Sequence, residues 1–249
     1  MEQYQPRFSS PTKIIAFHYG GGNKYSFRPL ERLLPEGYQW TTVELPGRGN
    51  RIREELLDDV NEMVENIYGE VVNQVQNSEY IVYGHSMGTL IGFELVRKLA
   101  ANKQILPRLL FFTGRGAPSI EKEKKISGYE KERFWQEIRE IGGLPEEIFE
   151  QKDLMDFFEP ILRKDFQSLE DYRYVPLAAP LAIPIFVRVG AQEDIKDENI
   201  EAWQKETVLP LNVSKLPGNH FFIFNHPQVI VNQMIEAHKA VKLMRSVPV

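Results

Sequence analysis

The chain contains no cysteine. That excludes disulfides, a thiolate nucleophile and any cysteine-ligated metal site. It also has no uninterrupted apolar run long enough to cross a bilayer, so no membrane partner is expected. Its first residues, Met1-Glu2-Gln3-Tyr4-Gln5, lack the basic-then-apolar order of a signal peptide, and a cytoplasmic location is the expectation. Basic residues are not in excess. The net charge is −5 and the pI about 5.7, which argues against nucleic acid as the main partner. Internal repeats and low-complexity segments are missing as well. What is present, 249 residues with 42% hydrophobic content, suffices for one α/β domain spanning 1–249.

Short apolar runs alternate with helical patterns along most of the chain. Strands are expected at Lys13–Phe17, Trp40–Glu44, Tyr80–Tyr83, Arg108–Phe112, Ile183–Val189 and Leu211–Leu216. Helical spacing is expected to start near Ser26, with Phe27, Leu30, Leu33 and Leu34 on one face. It recurs from Leu57 to Val75, after the third strand, and from Pro227 onward. Such alternation implies a mostly parallel sheet with helices on both faces. The stretch from about Pro118 to Val175 breaks the rhythm. It offers no strand, only charged helical segments such as Glu130–Ile141 and Asp153–Leu162 carrying Phe134, Trp135, Ile138, Phe157, Phe158 and Leu162. A helical insertion placed there is expected to form a lid over an active site; the alternative is a small helical domain with its own core and no role in chemistry.

The most informative residues are Gly84-His85-Ser86-Met87-Gly88, which join the third strand to the helix that follows. A G-x-S-x-G between strand and helix is the nucleophile elbow of the α/β-hydrolases, and it makes Ser86 the candidate nucleophile. A serine hydroxyl needs a base within hydrogen-bond reach, and the base needs a carboxylate to orient it. In this fold the order is serine, acid, histidine. Of five histidines, His85 lies within the elbow and is expected to pack away from the serine. His18 precedes the nucleophile. His226, just before Pro227 at the start of the last helix, and His238, well along it, are expected at the surface. His220 remains, in the loop after the last strand. The acid is expected in the turn Gly190-Ala191-Gln192-Glu193-Asp194, where Glu193 and Asp194 are both available and only one can reach His220. For the oxyanion, one donor is expected from the N–H of Met87 and another from the loop Phe17-His18-Tyr19-Gly20-Gly21-Gly22. Those glycines are not a P-loop, because its lysine and Ser/Thr are missing.

In this order the motifs resemble the type II thioesterases that accompany nonribosomal peptide and polyketide synthetases, over nearly the whole chain. Phe17 to Gly22 stands where that family has F-P-x-A-G-G. Glu44-Leu45-Pro46-Gly47-Arg48-Gly49-Asn50-Arg51 is similar to its E-L-P-G-R-G-x-R, Gly84 to Gly88 to its G-H-S-M-G, and Gly218-Asn219-His220-Phe221-Phe222 to its G-x-H-F-F. Ile141 to Pro145 and Leu162 to Phe166 are similar to its lid. The resemblance implies an α/β-hydrolase that removes acyl or aminoacyl groups from the phosphopantetheine arm of an acyl or peptidyl carrier protein, clearing stalled or mis-primed synthetases. It implies no cofactor and no metal, and it implies Gly20 as the second oxyanion donor. His18 and Gly20 depart from the family's proline and alanine. The acid departs too: the family's G-x-x-D places Glu193 where its aspartate falls, with Asp194 next. Asp194 is the expected acid, as the shorter and commoner partner, with Glu193 the alternative. A carboxylesterase or an acyl-CoA thioesterase on the same fold, or a hydrolase-fold binding protein without catalysis, are the competing readings. For carrier docking, the candidates are the lid and the loop bearing Arg48, Arg51 and Arg53, arginines that could equally make structural salt bridges.

Overall fold

The structure, a computed structural model, describes residues 10–246 apart from 77, 122 and 123; Met1 to Gln5 lie outside these residues. In chain order the elements are β1 (Thr12–Phe17), α1 (Arg28–Glu31), β2 (Tyr38–Val43), α2 (Val60–Val75), β3 (Tyr80–His85), α3 (Met87–Ala101), β4 (Leu110–Thr113), α4 (Lys131–Ile141), α5 (Glu146–Glu150), α6 (Lys152–Asp171), β5 (Ile185–Gly190), α7 (Asp197–Glu201), β6 (Asn212–Leu216), α8 (Phe222–Asn225) and α9 (Pro227–Ser246). The six strands form one sheet in the order β2-β1-β3-β4-β5-β6, with every pairing parallel. This is the α/β-hydrolase architecture expected from the sequence.

The inner strands are buried on both faces, as parallel sheets require. Side chains alternate between two cores because successive Cβ atoms point to opposite sides of a strand. Ile15, Phe17, Val82 and Phe112 pack on one side against α2 and α3, through Val64, Ile67, Val71, Leu90 and Leu95. Ile14, Ala16, Ile81, Tyr83 and Phe111 pack on the other against Leu30 of α1 and Ile230, Val231 and Met234 of α9. The strand order reverses beside β1, so the helices after β1 and β3 leave on opposite faces of the sheet. A crevice opens where their connections diverge, and α/β sheets bind ligands at such a switch point.

Two elements differ from expectation. The first helix is only one turn, because Pro35 follows Leu34 and disfavours helical backbone before it, and Gly37 then turns with φ 87°. Helix α6 is twice the expected segment and continues to Asp171. It carries Pro160 in its interior, on an exposed position where the ring meets solvent.

Helices α4, α5 and α6 lie between β4 and β5. Phe134, Trp135, Ile138, Ile148 and Leu162 form a third, smaller apolar cluster apart from the two that sandwich the sheet. Satellite clusters of this kind open at lower free energy than the main core. Amide exchange measured by mass spectrometry should therefore be faster across α4–α6 than in β1, β3 and β4; equal protection would mean that the helices form one rigid block with the sheet.

Candidate active site

Ser86 has φ 55° and ψ −114°, a backbone conformation that a residue with a side chain rarely adopts. The turn is forced by its neighbours. A Cβ on Gly84 would stand 2.5 Å from the carbonyl oxygen of Gly88, and one on Gly88 would stand 1.8 Å from the carbonyl oxygen of Phe17 at the end of β1. Only glycines let the elbow close on itself and on β1. The Ser86 N–H donates to the Thr113 carbonyl at 2.9 Å, which ties the turn to the end of β4. The serine is left half-buried at the N-terminus of α3.

His220 sits in the loop between β6 and α8. Its Nδ1 lies 2.7 Å from Oε2 of Glu193, whose side chain is only 3% exposed. The other oxygen, Oε1, accepts the Gly190 N–H at 2.6 Å. The expectation that Asp194 is the partner is thereby corrected. The turn after β5 closes with the Glu193 N–H on the Gly190 carbonyl at 3.1 Å, which curls residue 193 back over the strand end. Its extra methylene spans the distance to His220. Asp194, one residue on, is exposed and makes no hydrogen bond or ion pair among the described residues. Gln192 staples the two loops: its N–H donates to the Gly218 carbonyl at 3.0 Å and its side-chain oxygen accepts from the Gly218 N–H.

With Nδ1 engaged by a carboxylate, Nε2 is the nitrogen left for a serine hydroxyl. Ser86 and His220 line one cavity together with Tyr19, Gly20, Ile138 and Leu162. The backbone N–H groups of Gly20 and Met87 make no hydrogen bond among the described residues. Two open N–H groups beside the serine, one of them at a helix N-terminus, can hold an oxyanion. Among the described residues no group of three or more His, Asp or Glu side chains is placed to hold a metal ion.

The remaining histidines are packing residues. His85 is fully buried, accepts or donates at Thr113 Oγ1 through Nδ1 (2.9 Å), and lies 5.0 Å from the His220 ring. Burial, with His220 beside it, holds it well below 6.5 and hence neutral. His226 braces the Pro217 carbonyl at 2.9 Å. His238, expected at the surface, is instead buried beneath Tyr38, whose hydroxyl meets its Nδ1 at 2.9 Å; α9 packs its own face there against the start of β2. His18 is buried at the start of the oxyanion loop, with Nδ1 2.9 Å from the Tyr19 carbonyl. Desolvation, reinforced by the Arg48 guanidinium, pushes it down from 6.5 to about 4.

A carboxylate-braced histidine in the same cavity as a serine on a strained strand–helix turn defines a serine hydrolase of the α/β-hydrolase class. The chain belongs to the thioesterase domain family, whose model matches residues 12–238, and the proteins it is similar to include type II thioesterases of nonribosomal peptide and polyketide pathways. It is 31% identical to the gramicidin S biosynthesis protein GrsT of Aneurinibacillus migulanus, over 89% of this chain and 87% of that one. Among solved structures it superposes on ClbQ from the colibactin NRPS/PKS pathway with a TM-score of 0.86 and 29% identity, covering 93% of this chain and all of the other. The type II thioesterase BorB from the borrelidin cluster gives 0.84 at 26% identity, covering 95% and 96%. No helix among the described residues is long and apolar enough to cross a membrane.

Two outcomes check this geometry. Glu193→Gln should lower kcat by roughly 10⁴, because the amide no longer holds His220 in the tautomer and orientation that catalysis needs, while Asp194→Asn stays within a few-fold. Loss in the second and not the first would return the acid role to Asp194. For His18, the native state binds its proton more weakly than the unfolded chain. Its contribution to stability is complete above pH 6.5 and is lost as pH falls toward 4, an amount on the order of 3 kcal/mol. Urea denaturation between pH 4.5 and 7 should show a shallower pH slope for His18→Asn than for the wild type; identical slopes would mean that the buried ring does not resist protonation.

Proposed function

We propose that the chain hydrolyses acyl or aminoacyl thioesters held on the phosphopantetheine arm of acyl or peptidyl carrier proteins, freeing carriers that hold the wrong or a stalled group. The observation that carries the chemistry is the Glu193–His220 contact in the same cavity as Ser86 and the open N–H of Gly20. Ser86 Oγ attacks the thioester carbonyl while His220 takes its proton. The carbonyl oxygen becomes an oxyanion held by the Gly20 and Met87 N–H groups. As it collapses, the C–S bond breaks and His220 returns the proton to the leaving thiol. A water molecule, deprotonated by the same histidine, then releases the acyl group from Ser86. Glu193 stabilises the imidazolium at both stages. The scheme uses no cofactor.

The cavity at Ser86 measures about 20 Å³, room for about one water molecule. Ile138, Ile141, Leu144, Leu162 and Phe166 line it and leave little room beside Ser86 for an acyl group and its thin arm. Helices α4–α6 therefore act as a lid that must move for the arm to enter. Arg48 takes no part in docking a carrier: it is buried and paired with Asp165. Arg51 binds Glu54 and the Glu44 carbonyl. Of the three loop arginines, Arg53 alone is exposed and unpaired among the described residues.

Ser86→Ala should abolish turnover, by on the order of 10⁴ to 10⁶ in kcat, with the fold retained. The carrier assignment is tested by kcat/KM for one acyl group on holo-carrier protein and on coenzyme A. A clear preference for the carrier is expected. Equal values or a preference for coenzyme A would instead make this a small-molecule thioesterase.

A further inference from the structure

Asp165 of α6 is fully buried, and both its oxygens are engaged. Oδ2 accepts Arg48 Nη1 at 2.7 Å and Oδ1 accepts Nη2 at 2.8 Å; Oδ2 also accepts the backbone N–H of Gly21 at 2.7 Å. Arg48 is 3% exposed and steadies its own loop through Nε on the Pro46 carbonyl. One carboxylate thus joins the loop after β1, the loop after β2 and the lid. The inner face of α6 rests directly on the glycines: a Cβ on Gly20 would stand 3.6 Å from Asp165 Cβ, and one on Gly21 would stand 2.6 Å from Leu162.

An ion pair this deep is weak as a stabiliser, because desolvation consumes most of the Coulombic gain, and a well-packed apolar pair would serve as well. What an apolar pair could not do is accept the Gly21 N–H. Tyr19 to Gly22 form a tight turn closed by the Gly22 N–H on the Tyr19 carbonyl at 2.9 Å, with Gly21 at φ 77°, the sign that a type II turn asks of its second central residue. The central peptide unit of such a turn, here between two glycines, has little steric resistance to flipping. Asp165 holds that unit by its N–H, and the unit adjoins the Gly20 N–H offered to the oxyanion.

We propose that Asp165 is a positioning residue for the oxyanion loop, so that docking of the lid helix α6 completes the oxyanion hole. The lid then does more than exclude water. While it is displaced to admit an arm, the Gly20 donor is not held in place; when α6 settles back, Asp165 recaptures Gly21 and the hole is restored. Arg48 supplies the opposite charge and a two-point contact that fixes the orientation of the carboxylate against Gly21.

This inference rests on Ser86 and Gly20 having the roles proposed above, but not on the carrier as substrate. The test therefore uses p-nitrophenyl acetate, which needs the hole and no carrier. Asp165→Asn keeps shape and removes the charge. It should lower kcat by 10² to 10³, the usual loss for an oxyanion donor, with KM within about threefold. The affinity of a trifluoromethyl ketone, which binds as a tetrahedral adduct, should fall by the same factor as kcat/KM, and the melting temperature should not track the loss. Should Asp165→Asn fail to fold, Arg48→Lys keeps the charge and loses the fork; a fall in kcat of about tenfold with the same parallel change in ketone affinity is then expected. Wild-type kcat in a folded variant, or lost activity with ketone affinity unchanged, would overturn the proposal. Ester hydrolysis surviving Ser86→Ala would instead overturn the reading of the site on which the proposal rests.

Discussion

The closest approach in the site is between Gly88, in the first turn of α3, and the carbonyl oxygen of Phe17 at the end of β1, where not even a methyl group fits. This contact fixes the distance between the elbow and the loop that leaves β1. Ser86 and Met87 belong to one side of it, Gly20 to the other. Both halves of the proposed oxyanion hole are thereby referenced to the same backbone contact, and it lies where the sheet order reverses and the crevice opens. The strained φ of Ser86 persists because packing on both sides over-determines it. Around this fixed centre the other parts are adjustable loops, each secured by its own hydrogen bonds.

Those loops are secured in two different ways. On the acid–base side the bracing is local to the sheet: Glu193 on Gly190 and His220, Gln192 on Gly218, and His85 beneath the His220 ring. None of these bonds comes from α4, α5 or α6, although Gly143 of the α4–α5 loop packs against the ring of Phe221 beside His220. On the oxyanion side the bracing comes from α6, through Asp165 and Leu162. In the proposal made above, the acid–base half is braced by hydrogen bonds from the strand ends, and the oxyanion half is completed by the lid helix. For a hydrolase whose substrate arrives on a long arm, such a division keeps the nucleophile and base ready while withholding the oxyanion donors until the acyl group is enclosed.

Much of this was legible in the sequence because it is local. The strand, the G-x-S-x-G and the helix after it occupy consecutive residues, and the order of elements left His220 as the base by elimination. The acid was not legible to the last residue. Glu193 and Asp194 are adjacent, and which one faces His220 is decided by a turn whose closure involves Gly190 and Gly218 from different strand ends. His238 looked like a surface residue because its last-helix pattern does not reveal that Tyr38, two hundred positions earlier, covers it. The Arg48–Asp165 pair was beyond reach for the same reason: 117 residues separate its members, and each alone reads as a solvated charge in a polar segment. The expected helix already runs past Pro160 to Leu162; its continuation to Asp171 is the part that was not legible.

The account stands most directly on where a tetrahedral adduct binds. A crystal structure of the enzyme treated with an alkyl fluorophosphonate should show phosphorus bonded to Ser86 Oγ. One phosphonyl oxygen should lie within hydrogen-bond distance of both the Gly20 and Met87 N–H groups, and the Asp165 contact to Gly21 should remain closed. An adduct on another residue, or an oxygen on Ser86 held by groups other than these two, would contradict it.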